Sequence, residues 1–152
     1  MAERPTGSPS QLPFFVYGTL RPGLVNHDRH LTGRCAEARP AVLAGAALHE
    51  GPGFPYAVPA PGRRVVGDLL TIRPDVYARV LTELDELEEC RPDGSGLYVR
   101  VQLPVLVTDA PERRTRPAWV YLAGPAQAAR LRAAPTLIPS GDWTDRWTAG
   151  PA

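Results

Sequence analysis

The chain predicts an α+β fold: a single small domain in which a mixed β-sheet or barrel is flanked by helices. Its 152 residues suffice for one hydrophobic core and are too few for two. Short runs of β-branched and aromatic residues recur between turn signals, as strands do, whereas one substantial segment, Pro74 to about Glu89, carries an apolar stripe at helical period. Eighteen prolines, more than twice the roughly 5% usual share, lie scattered between the apolar runs, so the elements are short and the loops rigid.

Taken in order, residues 1–13 hold Arg4, Pro5, Gly7, Ser8 and Pro9 and no apolar run, and read as a disordered leader, neither signal peptide nor membrane span. Phe14-Phe15-Val16-Tyr17 is a run of strong strand formers stopped by Gly18, a buried strand entering a tight loop. Residues 21–40, with Pro22, Gly23, Gly33 and Pro40, read as loop with a short helix around His30. Ala41 to His49 is a second strand, ended by Gly51-Pro52-Gly53 and followed by a compact Phe54-Pro55-Tyr56 turn. Arg64 to Ile72 is a third, with Gly67 as a candidate bulge.

Pro74 opens the helix at a position where its missing N–H costs nothing, and Pro92 and Gly94 stop it. Tyr98 to Val107 and Ala118 to Leu122 are strands, Pro104 marking an edge or bulge in the first. Gln127 to Ala133 forms a short helix. The domain is expected over 14–134, with 135–152 as an irregular tail packed on it through tryptophans such as Trp143 and Trp147.

Seventeen basic and sixteen acidic residues leave a formal charge of +1, which favours neither nucleic acid nor an anionic membrane; a small molecule is the expected ligand, and the chain a monomer or homodimer. Every basic residue is arginine, so a Schiff-base lysine, a P-loop lysine and any amine nucleophile of the protein are excluded. Cys35 and Cys90 are too few and too far apart for a disulfide scaffold or a zinc site, and a reducing cytoplasm suits them best.

The helix carries the acids Glu83, Asp85, Glu86, Glu88 and Glu89, which as a charge run would ordinarily be a solvated face. At about 100° per residue, however, Val76, Tyr77, Val80, Leu81, Leu84 and Leu87 fall inside an arc of roughly 140°, and Glu88 lies within it at about 120°. Asp85, Glu86 and Glu89 lie well outside that arc and Glu83 just beyond its edge. A buried carboxylate either finds a partner, for which Arg100 is the candidate, or holds its proton with a raised pKa and becomes suited to proton transfer near neutral pH. At the other end of the chain Gly18 lets the backbone of Tyr17 to Leu20 approach a ligand, and successive N–H groups in such a turn form a concavity for an anionic or carbonyl oxygen.

Phe15-Val16-Tyr17-Gly18-Thr19-Leu20, Gly53-Phe54-Pro55, Leu84-Asp85-Glu86-Leu87-Glu88 and Tyr98-Val99-Arg100, in this order and spacing, resemble the γ-glutamylcyclotransferase-like family, which includes γ-glutamylamine cyclotransferases, over roughly residues 14–123. The resemblance implies a cofactor-free enzyme that closes the γ-glutamyl group of a conjugate to 5-oxoproline and releases an amine or amino acid. It implies that the turn Tyr17, Gly18, Thr19 and Leu20 binds substrate through backbone N–H groups and that Glu88 is the general acid/base. Tyr98, Tyr121 and, ranked below Tyr121, Arg100 are candidates to line the pocket. The sequence departs from the commoner pattern at Glu89-Cys90, where many members carry a small residue such as glycine after the glutamate, and in the insertion of residues 91–96. Three alternatives stand beside this one: a Cys90 thiol with a histidine base, a metal on His27-Asp28-x-His30, and a non-catalytic small-molecule-binding or regulatory domain of the same fold.

Overall fold

The computed structural model describes residues 11–51, 55–90, 96–109, 114–134 and 136–144. Five strands, β1 (Phe14–Val16), β2 (Cys35–Glu50), β3 (Pro55–Ile72), β4 (Tyr98–Val107) and β5 (Thr115–Ala123), close into a barrel in the order β1-β3-β2-β4-β5. Helices α1 (Val25–His30), α2 (Tyr77–Leu87) and α3 (Pro125–Arg132) flank it. β1 pairs antiparallel with β3 and parallel with β5, which makes the sheet mixed.

The first strand shows why its sequence is continuously apolar. Side chains alternate across a strand. Phe14 and Val16 join the cluster that includes Tyr77, Val80 and Leu84 of α2, while Phe15 and Tyr17 join a second cluster, free of helix residues, that fills the barrel. Both faces of β1 are therefore buried, and no polar alternation is left to read.

β2 and β3 are longer than expected: β2 begins at Cys35 within the predicted loop, and Pro55-Tyr56, expected in a turn, opens β3. The two strands pair from Cys35↔Ile72 to Glu50↔Pro55, and the register shift between Ala44 and Ala46 absorbs the proline- and glycine-rich stretch opposite. Gly45 and Gly62 sit there at φ 82° and 86°, the left-handed region that glycine tolerates. Gly67 is no bulge, since Ala41↔Gly67 and Val42↔Val66 run in continuous register. Its missing side chain serves a close approach instead: a Cβ there would overlap the Val16 carbonyl oxygen and press on the Phe15 ring. Pro104 faces Pro117 just beyond the two residues, Leu106 and Val107, through which β4 meets β2, so it stands on a local edge.

The predicted helix divides into a 3₁₀ turn, Pro74–Val76, and α2, which ends at Leu87. Tyr77, Val80 and Leu84 are buried, as their stripe requires, with Leu81 and Leu87 half-buried beside them. The last predicted helix runs from Pro125 to Arg132, starting earlier than Gln127 because Pro125 takes the first-turn position. Residues 136–144 run along the barrel: Ile138 N–H donates to the Leu48 carbonyl and Val66 N–H to the Gly141 carbonyl, each at 2.8 Å. Ile138 and Trp143 enter the inner cluster, Trp143 with 2% of its surface exposed. Residues 1–10, Gly53, Phe54 and Trp147 lie outside the described residues. No helix among the described residues is long and apolar enough to cross a membrane.

Candidate active site

A cavity of about 330 Å³ opens where the end of β1, the start of α1, the end of α2 and the strands β4 and β5 converge. Tyr17, Gly18, Thr19, Leu20, Glu88, Tyr98 and Tyr121 all line it. Asn26 lines it too, although its position in a loop-rich stretch offered no signal beyond polarity. Arg100 does not: it turns away onto Asp85.

The turn after β1 is held from behind. Thr19 C=O accepts the N–H groups of Asn26 and His27, each at 3.1 Å, and Gly18 C=O accepts that of Arg21 at 3.0 Å. A trans peptide directs the following N–H opposite to its carbonyl, so Thr19 N–H and Leu20 N–H point away from these partners. Among the described residues the N–H groups of Gly18, Thr19 and Leu20 have no backbone acceptor. Gly18 is required for the shape, because an added Cβ would stand 2.9 Å from the Pro55 ring. Side chains brace the same turn: Asn26 Nδ2 donates to Thr19 Oγ1 at 2.6 Å, and His27 Nδ1 lies 2.9 Å from the Leu20 carbonyl.

Arg21 fixes the far end of the turn. Its Nε donates to Asp68 at 2.8 Å and its Nη1 to Asp142 at 2.9 Å, tying the turn to β3 and to the tail. Burial opposes ionisation of Asp142, but hydrogen bonds from Thr144 and the Arg21 charge outweigh it and hold the carboxyl below its usual range.

Glu88 is the first residue past α2, with φ −85° and ψ 2°, and its N–H still closes the last helical bond to Leu84 at 2.9 Å. The helical phase is thus kept through Glu88, and its half-buried carboxyl lies among protein atoms with its open side on the cavity. Burial pushes it up to about 7, and no cation among the described residues relieves it. Glu89 then adopts φ 51° and reverses the chain, so that Cys90 N–H returns to the Asp85 carbonyl at 2.8 Å. This left-handed position is one that favours glycine. It is also where the sequence departs from the commoner pattern.

The tyrosines play unequal parts. Tyr17 OH donates to the Tyr121 carbonyl at 2.5 Å and accepts from Ala57 N–H at 3.2 Å, so its hydroxyl is used up inside the barrel and only its backbone and ring serve the cavity. Tyr98 OH donates to the Pro55 carbonyl at 2.6 Å while its ring stacks on Tyr56. Tyr121 OH donates to Asp85 Oδ1 at 2.6 Å. Burial above all pushes the three phenols far above their ordinary range, followed by the Glu88 charge at Tyr17, by Tyr17 at Tyr98, and by the hydrogen bond and charge of Asp85 at Tyr121.

Arg100 pairs with Asp85 through Nε at 2.9 Å and Nη2 at 3.2 Å, not with Glu88, and its guanidinium stands 4.4 Å from the centroid of the Trp119 ring. Asp85, which the helical wheel leaves on the solvated side, is therefore engaged by two strands. Its only sequence signal is an arginine two residues into the next strand.

The alternatives find less geometry. Burial pushes the Cys90 thiol up, away from the thiolate a nucleophile needs. His27 is turned onto the Leu20 carbonyl, and among the described residues no three His, Cys, Asp or Glu side chains converge.

A family profile described as gamma-glutamyl cyclotransferase, AIG2-like, matches residues 14–145. An AIG2-like protein of Mus musculus shares 25% identity over 82% of this chain and 84% of its own, with a TM-score of 0.62. An Arabidopsis thaliana protein shares the fold at 23% identity, covering 93% of this chain and 85% of its own, TM-score 0.60. A yeast gamma-glutamyl cyclotransferase specific to glutathione shares the fold at 16% identity over 86% and 81%, TM-score 0.55. No curated protein sequence matches significantly. With the profile spanning the barrel, both walls of the cavity and the tail up to Trp143, the chain belongs to the gamma-glutamyl cyclotransferase, AIG2-like family.

Proposed function

We propose that the protein cleaves a γ-glutamyl amide by intramolecular cyclisation, with Glu88 as general acid/base. The observation that carries the reading is the Glu88 carboxyl, without an ion-pair partner among the described residues and held near 7, in a small-molecule-sized cavity also lined by Gly18, Thr19 and Leu20, whose N–H groups have no backbone acceptor among those residues. Glu88 takes a proton from the substrate's α-ammonium, the freed amine attacks the γ-carbonyl carbon, and a C–N bond forms. Glu88 gives that proton to the departing nitrogen as its bond to that carbon breaks, and the ring nitrogen sheds its second proton, through the Glu88 carboxylate so freed, to the released amine, leaving 5-oxoproline with a single amide N–H and the amine or amino acid as its ammonium. A group with a pKa close to the working pH can serve in both directions.

The attacking amine is tethered to its target, so no nucleophile of the protein and no cofactor is needed. Holding the substrate in a ring-closing pose supplies part of the roughly 7–11 kcal/mol available to well-oriented intramolecular reactions. N–H groups of the turn hold a substrate oxygen and favour negative charge as it develops there. The reaction runs in one domain over 14–134 with its tail, and the unpaired thiols Cys35 and Cys90 accord with the cytoplasm.

Purified protein incubated with γ-glutamyl amines and γ-glutamyl amino acids should release 5-oxoproline, and Glu88→Gln should not. Equal activity of the two proteins would refute the role of Glu88. Binding of these compounds without turnover by the unaltered protein would favour a non-catalytic domain.

A further inference from the structure

We propose that Asp85 and Arg100 are positioning residues that set the hydrogen-bond polarity of Tyr121, so that its hydroxyl meets a ligand only as an acceptor and selects an N–H-bearing group, an amine or ammonium. The inference deepens the functional reading above and rests on it.

A phenol has one hydrogen to donate and lone-pair capacity to accept. Which it shows to a ligand depends on where the hydrogen is already committed. Asp85 receives two N–H groups from the Arg100 fork, at 2.9 and 3.2 Å, an arrangement that belongs to a carboxylate, and a carboxylate only accepts. The Tyr121 hydroxyl 2.6 Å from Asp85 Oδ1 must therefore donate to it. Its remaining capacity is that of an acceptor.

The surroundings prevent Tyr121 from escaping this role. Its ring stacks on Phe14 with centroids 6.4 Å apart, and its own carbonyl is taken by Tyr17 OH. Arg100 is fixed in turn by the Trp119 face, 4.4 Å from the guanidinium. Trp119 Nε1–H donates to Tyr77 OH at 3.1 Å, and Tyr77 OH to the Leu12 carbonyl at 2.5 Å, so the ring that supports Arg100 is itself anchored.

The cavity is consequently bipolar. Its Gly18–Leu20 wall carries N–H groups without a backbone acceptor among the described residues, and its Tyr121 and Glu88 wall carries acceptors. A molecule with an oxygen at one end and an amino group at the other satisfies both. One in which the amino group is replaced by hydrogen leaves Tyr121 without a donor, and a buried acceptor without its partner weakens binding.

The test compares two ligands, γ-glutamyl-n-butylamide and its des-amino counterpart glutaryl-n-butylamide, by calorimetry on the Glu88→Gln protein, in which the proposed chemistry is stopped. The amino ligand should bind roughly tenfold or more tightly than the des-amino one. Adding Asp85→Ala, which removes the acceptor that holds the phenol hydrogen, or Tyr121→Phe should each collapse that ratio toward one, and the two together should do no more than either. A ratio unchanged by both substitutions, or effects that simply add, would overturn the inference, as would equal loss of affinity for both ligands, the mark of a merely structural role. Tyr121→Phe keeps the test decisive should Asp85→Ala fail to fold. Release of 5-oxoproline by the Glu88→Gln protein would count against the catalytic reading alone, whereas absence of binding by either ligand would remove both.

Discussion

At the scale of single residues, a carboxyl that suits catalysis opposes stability. Glu88 in the folded chain keeps its proton up to about 7, against an ordinary value of 4.5, so between these values the native state binds more protons than the unfolded one. Stability from this group is thus full below about pH 4.5 and is lost as the pH rises through about 7, by up to about 3 kcal/mol before screening by cavity water reduces it. Glu88→Gln should remove that pH dependence, and its gain in urea midpoint over the unaltered protein should grow from pH 4.5 to 7. The same substitution should lower kcat by about 10²–10⁴-fold. An acidic limb near pH 7 in the kcat/KM profile of the unaltered protein is the companion expectation.

Glu89 carries a second local cost. A non-glycine residue at φ 51° is strained, and Glu89→Gly should stabilise the protein by up to about 1 kcal/mol, the relief at the helix end being partly offset by the unfolded-state entropy of glycine. Glu89→Val should destabilise it. Thermal melts of the two variants compare the sign directly.

At the scale of elements, the turn after β1 is shaped by what lies behind it. Gly18→Ala would push a methyl against Pro55, so the turn must shift, and KM for the active γ-glutamyl substrate should rise at least about tenfold. The Arg21 pairs reach the same turn from the opposite side. With their side chains only 16–27% exposed, these pairs fall between surface and buried ion pairs. Asp142→Ala should therefore cost about 1 kcal/mol and raise KM several-fold with kcat less affected, as steady-state kinetics would show.

For the whole molecule, the barrel depends on a residue from outside its strands. Trp143, 2% exposed among the inner cluster, is delivered by the tail. Trp143→Ala should lower unfolding free energy by about 3–5 kcal/mol, seen as a large drop in urea midpoint. That cost far exceeds the one expected for Asp142→Ala, its neighbour, which separates core filling from the anchoring of the turn.

What can be read from the chain alone is what local physics controls. The apolar run Phe14 to Tyr17, the stop at Gly18 and the stripe of α2 are nearest-neighbour properties, and the inward phase of Glu88 follows because the helical bond to Leu84 persists one residue past the helix. Proline and glycine content points to loop at residues 35–40 and to a turn at Pro55-Tyr56, but backbone propensity yields where a long partner strand supplies hydrogen bonds and a register shift takes up the excess. Asp85 reads as solvated from its helix alone because its partners, Arg100 and Tyr121, stand 15 and 36 positions away on two other strands. The anchoring of Arg21 by Asp142 spans 121 positions. Side-chain direction along a helix is set by its own 3.6-residue period and survives in the sequence; the identity of the group met in that direction depends on how the strands close, and that is a property of the barrel.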